Sequence, residues 1–214
     1  MKDNLLEEND SKRVKYITLI LASLLIICII VIIILSIVLA NKNSDDDDPK
    51  EDFKGFDYWV KKYDMMDHIE GGKFQYGLYA SNFKVNLSDY EGLERVGTST
   101  CYYMLNSNEP GKFHKLRGDE CWLFHDGTPL TMYLMDEETG NIETKLLGLC
   151  EKCEPLICVK GGTIFGEIGG EKYTFVSLET VPGYDDRDFY LFNKTELLLR
   201  YPQNEEIINK IYPN

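Results

Sequence analysis

The sequence predicts an all-β domain carried behind a single membrane-spanning helix. Three observations lead there. Residues 16–40, YITLILASLLIICIIVIIILSIVLA, run for 25 positions without a charge. Beyond Gly71-Gly72 the chain breaks into short runs rich in β-branched and aromatic residues. Turn-forming clusters separate those runs at short intervals, the pattern of a sandwich or jelly roll.

The apolar run comes first. A bilayer core of about 30 Å needs about 20 apolar residues in a helix, so residues 16–40 suffice with some tilt. The polar exceptions are Tyr16, Thr18, Ser23, Cys28 and Ser36. Small hydroxyls bond back to their own helix at little cost. A soluble core helix would show a polar face, and this segment has none. Val38-Leu39-Ala40 has the small-residue character of a cleavage site. The run nevertheless exceeds the roughly 7–15 residues of a signal-peptide core, so it reads as an uncleaved signal-anchor.

Lys12, Arg13 and Lys15 crowd the N-terminal flank, against sparser Lys42 and Lys50 beyond it. The N-terminus is therefore expected to be cytoplasmic and the C-terminal part lumenal or extracellular. The predicted organisation is a cytoplasmic tail over 1–15, a transmembrane helix over 16–40, an acidic linker over 41–55 and a folded domain over 56–214. The lipid bilayer is the first partner. Asp45 to Asp48 followed by Pro49 repel one another and suit a spacer.

The net charge is −13, and the first 40 residues balance their acids and bases, so the acidity belongs to the exterior part. An acidic domain argues against nucleic-acid binding and against docking on anionic lipid.

Five cysteines follow the anchor: Cys101, Cys121, Cys150, Cys153 and Cys158. Cys150-Glu-Lys-Cys153 allows three readings. A zinc site lacks a nearby second pair. A redox motif would open a helix in a strand–helix unit, and the surroundings look all-β. The preferred reading is a structural disulfide among Cys150, Cys153 and Cys158, with Cys101 and Cys121 as buried thiols in strand-like runs. An odd count leaves at least one thiol unpaired within the chain. Asn86-Leu-Ser88 and Asn193-Lys-Thr195 are glycosylation acceptors if the domain is lumenal.

Phe56 to Tyr63 places apolar groups at helical spacing, and Gly71-Gly72 breaks the pattern. Strands are predicted at Thr98–Leu105, Glu120–Phe124, Thr131–Met135, Thr144–Leu149, Pro155–Val159 and Tyr173–Leu178. Short helices are predicted over Asn193–Leu199 and Asn204–Ile211.

The densest polar and aromatic stretch runs from Phe113 to Gly127. It resembles the first motif of the cupin superfamily: His114 fills its first position, Leu116 stands where a second His would be, and Glu120 and Gly127 follow at the right spacing. The second motif is echoed by Lys160-Gly-Gly162-Thr-Ile-Phe165, with Lys160 in place of Pro and Phe165 in place of His. A branch of cupins without an assigned activity is closer still. Its motifs are matched by His68-Ile-Glu70-Gly-Gly-Lys-Phe74, His114 through Glu120-Cys-Trp122, Pro182-Gly-Tyr-Asp185 with Asp188-Phe189, and Leu198-Leu-Arg-Tyr-Pro202. The resemblance implies a double-stranded β-helix (the cupin jelly roll), one ligand-sized pocket inside it, and often a homodimer. Gln75-Tyr76 and Leu123 depart from the branch's pattern.

Cupin metal centres usually present three His and one Glu. Here only His114 and Glu120 remain, and two protein ligands rarely hold a metal. No metal or other cofactor is expected. The candidate ligand-binding residues are His114, Glu120, Trp122 and Phe165, with His114 and Glu120 the candidates for any catalysis. His114 and Leu116 share a strand parity, so both can face the barrel interior. His68 and His125 read as surface or turn residues. Asp185, Asp186 and Asp188 read as a turn-capping group rather than a cation site.

Three functions are expected in order. The first is a membrane-anchored cupin-like protein binding a small polar ligand. The second is a sugar isomerase- or epimerase-like enzyme moving protons through His114 and Glu120. The third is a non-catalytic, dimeric surface protein whose barrel is a scaffold.

Overall fold

The computed structural model describes residues 25, 27–36, 54–86, 88 and 94–213. The chain divides into two compact units, Met1–Phe53 and Lys54–Asn214. In the first, residues 27–36 are helical with their apolar side chains exposed. Among the described residues no helix is long and apolar enough to cross a membrane. The predicted span over 16–40 lies mostly outside the described residues, as do the 1–15 tail and nearly all of the linker.

The described residues of the second unit form thirteen strands: β1 (Met66–Asp67), β2 (Lys73–Ala80), β3 (Lys84–Asn86), β4 (Glu94–Val96), β5 (Ser99–Leu105), β6 (Gly111–Leu116), β7 (Asp119–Gly127), β8 (Leu130–Met135), β9 (Ile142–Leu147), β10 (Leu156–Val159), β11 (Ile164–Ile168), β12 (Thr174–Val181) and β13 (Phe189–Leu191). A six-stranded sheet has the order β1-β2-β5-β12-β7-β10, and a five-stranded sheet has the order β13-β6-β11-β8-β9. Neighbours within both sheets run antiparallel. β3 and β4 form a separate ribbon.

Alternation along the strands assigns the faces. Tyr103, Leu105, Trp122 and Val176 of the larger sheet share one buried core with Leu130, Met132, Leu147 and Phe165 of the smaller. The two inner faces therefore pack on each other, as a jelly roll requires. The alternate residues of the smaller sheet face out. There Phe113, Met135 and Ile164 pack against Leu197, Ile208 and Ile211, which belong to helices α2 (Lys194–Arg200) and α3 (Glu205–Ile211). Helix α1 (Phe56–Lys62) plays the same part for the larger sheet. Its Phe56, Trp59 and Val60, with Tyr63 just beyond it, pack against Met104, Tyr173 and Phe175. The Trp59 indole and the Tyr173 hydroxyl both donate to Asp126 Oδ2, at 3.0 and 2.8 Å.

All six predicted strands and three predicted domain helices have counterparts. Asn193 caps α2 by accepting from the Glu196 N–H at 2.9 Å.

The cysteine pairing meets the expectation of a disulfide among Cys150, Cys153 and Cys158 but corrects the reading of Cys121 as a thiol. Cys150 and Cys153 are bonded to each other, and Cys158 is bonded to Cys121, 37 residues away. The register explains it: Cys158 on β10 lies directly opposite Cys121 on β7, with Cα atoms 4.0 Å apart. The Cys150–Cys153 pair closes the turn after β9, where Cys153 N–H donates to Cys150 O at 3.0 Å. Cys101 keeps its thiol, as expected.

Candidate functional site

β6 alternates Phe113 outward toward the helices and His114 inward. The His114 ring lies against Phe165, its partner in the β6–β11 register, with centroids 4.0 Å apart. Phe189 flanks it at 5.7 Å. Nδ1 faces the Lys112 carbonyl at 2.8 Å, so Nδ1 carries a proton and donates it. Nε2 faces Glu70 Oε1 at 3.5 Å, and the other Glu70 oxygen lies 3.4 Å from His68 Nδ1.

Glu70 reaches His114 because of two glycines. Gly71 and Gly72 adopt φ of +132° and +68°, which turns the chain sharply between β1 and β2. A Cβ on Gly71 would lie 2.2 Å from the Pro110 carbonyl oxygen, so only glycine allows the turn to pack on the start of β6.

Glu120 opens the inward row of β7. Trp122, next on the same face, donates its indole N–H to Glu120 Oε2 at 2.9 Å. Tyr103 meets Trp122 edge-on at 5.6 Å and donates its hydroxyl to the Gly71 carbonyl at 2.8 Å. Glu167, two residues past Phe165 on the inward face of β11, is fully buried against Gly111, and neither of its oxygens has a hydrogen-bond partner.

Burial and mutual charge drive the carboxyls apart. Burial pushes Glu70 up, but His114, His68 and Lys112 together outweigh it and hold this carboxyl below its usual range. Burial, and then the Glu70 charge, push Glu120 up to about 8, with the Trp122 N–H partly opposing them. Glu167 is raised well above the usual carboxyl value by burial and by the charges of Glu70 and Glu120. Burial, with Glu120 and Glu70, lifts the Cys101 thiol to about 12. Within one interior the Glu70 carboxyl is therefore shifted down and the Glu120 and Glu167 carboxyls are shifted up.

An open cleft of about 380 Å³ lies in front of Glu70. Asp67, His68, Glu70, Glu109, Lys112 and Tyr212 line it. Glu70 thus joins the cleft to His114 inside the barrel.

The structure brings His114, Glu120, Trp122 and Phe165 into one buried cluster. It also adds Glu70 and Glu167, which the sequence reading passed over. Glu70 stood in the His68-Ile-Glu70-Gly-Gly motif, and Glu167 is a lone charge in the apolar run Ile164-Phe-Gly-Glu-Ile168; both signals were present. His68 sits in the turn after β1, as expected, with its half-buried ring on Phe74 and Tyr103 and facing Glu70. His125 lies outside this cluster, against Tyr102 and Phe175. Asp185 caps a 3-10 turn by accepting from Arg187 N–H, and Asp188 forms a two-pronged pair with buried Arg95.

A cupin metal does not fit this donor set. Leu116 and Phe165 occupy two of the four ligand positions, and the Phe165 ring fills the space beside His114. Glu120 is engaged by Trp122. Among the described residues no three His, Cys, Asp or Glu side chains are grouped to hold a metal ion.

Two packed antiparallel sheets around an inward His and Glu define a cupin-type barrel. Residues 57–192 match the family described as Cupin superfamily (DUF985), and the chain belongs to that family. Among solved structures, it is similar to a protein from Shewanella oneidensis, with 32% identity, TM-score 0.67, and coverage of 73% of this chain and 96% of that one. It is similar also to a hypothetical protein from Leishmania major, with 28% identity, TM-score 0.67, and coverage of 73% and 97%. No curated protein matches it.

Proposed function

We propose that this chain is a membrane-tethered cupin whose barrel binds a small polar ligand through the cleft in front of Glu70. The observation that carries the reading is Glu70 itself, a buried carboxylate that lines a cleft on one side and faces His114 on the other. A buried carboxylate with a shifted pKa in the wall of a cleft is a candidate for contact with a ligand. His114 and Glu120 then support the ligand-facing groups from behind, and Trp122 and Phe165 hold them in place. The anchor over 16–40 sets the location, with the barrel on the lumenal or extracellular side. A second copy of the chain is the proposed partner.

The opposed carboxyls favour one second reading, proton transfer as in an isomerase or epimerase. A carboxylate at Glu70 and a carboxylic acid at Glu120 are the two forms that a base and an acid need at one site.

The test is thermal unfolding of the full chain in detergent against a panel of sugars, nucleotides and amines. A ligand that binds only the folded state raises its midpoint. A stabilising compound whose effect is lost in Glu70→Gln supports the cleft. A stabilising compound indifferent to Glu70→Gln, or a panel with no stabilising member, counts against it.

A further inference from the structure

The cleft offers hydrogen-bond acceptors in excess of donors. Its lining carries the carboxylates of Asp67, Glu70 and Glu109 against one lysine and one histidine. Lys73 engages Asp67, and Lys112 Nζ already donates to the Ile69 carbonyl at 3.2 Å. Glu70 is only 5% exposed, yet the His68 and His114 imidazole nitrogens that face its oxygens stand at 3.4 and 3.5 Å. Those contacts are longer than the roughly 2.7–2.9 Å of a charge-assisted hydrogen bond.

We propose that the cleft takes a small organic cation, an amine whose ammonium docks on Glu70 between His68 and Glu109. This rests on the reading of the cleft as a ligand site and names the class of ligand. An ammonium brings three donors and no acceptor, whereas each hydroxyl of a polyol brings an acceptor with its donor. Covering an ionised carboxylate removes its water and needs an opposite charge in return. A phosphorylated ligand would meet three carboxylates on a chain of net charge −13. A cation at Glu70 would also offset the charge that helps hold Glu120 up at about 8. Binding near neutral pH then releases a proton.

The test is isothermal titration calorimetry of the full chain in detergent with matched probes. One set is glucosamine, glucose and glucose 6-phosphate; the other is putrescine and 1,4-butanediol. An amine should bind more tightly than its neutral twin by about tenfold, the discrimination that a hydrogen bond to a charged group supplies. Added salt should weaken it, and heats in buffers of different ionisation enthalpy should report proton release. Glu109→Gln, at an exposed rim position, should weaken amine binding several-fold without touching the core, and Glu70→Gln should abolish it. If a neutral or phosphorylated twin binds as tightly as its amine, the cation class is wrong and the cleft reading stands. If no probe binds, both fall.

Discussion

The His114 imidazole joins two parts of the chain that lie far apart in sequence: its Nε2 stands 3.5 Å from Glu70 Oε1 while its Nδ1–H is held by the Lys112 carbonyl at 2.8 Å. The ring is thereby fixed with one nitrogen turned toward Glu70, whose carboxyl is held below its usual range while those of Glu120 and Glu167 are raised. Glu70 then sets the state of its neighbours, since its charge helps raise both Glu120 and Glu167.

Stability should fall as pH rises from about 4.5 to about 8 because of Glu120. Its carboxyl titrates near 8 in the folded chain against an ordinary value of 4.5. Across that window the folded state holds a proton that the unfolded state has lost, so raising pH favours unfolding. Glu120→Gln keeps an acceptor for the Trp122 indole and removes the titration. Its unfolding midpoint, measured from pH 5 to 8.5, should decline less than that of the parent, and it should be the more stable of the two at pH 8. Equal slopes would show that Glu120 titrates normally.

Gly111→Ala should destabilise the domain by about 1–3 kcal/mol, the usual cost of overpacking a core. The new Cβ would lie 1.7 Å from Glu167 Oε1, and that carboxyl is fully buried. Glu167→Ala makes room, so the double variant should recover part of the loss. A double-mutant cycle by denaturant unfolding measures the coupling. Additive effects would mean that the two residues do not share this space.

The two disulfides should contribute unequally. Cys121–Cys158 closes 37 residues and Cys150–Cys153 closes three. In the loop-entropy account the longer closure is worth about 4 kcal/mol and the shorter about 2. Paired Cys→Ser variants at each bridge, compared by denaturant midpoint, should keep that order. The reverse order would assign the stability to local turn structure instead.

Much of the fold was legible because its elements are local. Val176, Ser177 and Leu178 alternate across a strand, and Phe56, Trp59, Val60 and Tyr63 share a helix face; a short window contains each signal. β6 and β11, the strands that carry His114 and Glu167, were not predicted. The first mixes a glycine, two lysines and a histidine, and the second is interrupted by Gly166. Their strand character comes from pairing with each other, and β11 pairs also with β8. The same limit hid the Cys121–Cys158 bond, which depends on the β7–β10 register. Within the site, the cupin spacing pointed to His114 and Glu120. Glu70 and Glu167 emerge as parts of the cluster only once the Gly71-Gly72 turn and the inner face of β11 are folded onto it.

The proposed topology has a test that leaves the fold undisturbed. Asn86 is exposed at the end of β3, and Asn193 is exposed at the cap of α2. Both sequons should be glycosylated when the full chain is made in a eukaryotic secretory system, as endoglycosidase-sensitive shifts on a gel. Asn193→Gln is the wrong control, because Asn193 Oδ1 accepts the Glu196 N–H and losing such a cap costs about 1 kcal/mol. Thr195→Ala removes the sequon and keeps the cap; Asn86→Gln serves at the other site. A glycan joins the asparagine through its amide nitrogen, leaving Oδ1 to hold the helix. The parent should therefore show two shifts, each single variant one, and the double variant none. A parent with no glycan would place the barrel on the cytoplasmic side, where the basic residues at 12, 13 and 15 would no longer orient the chain.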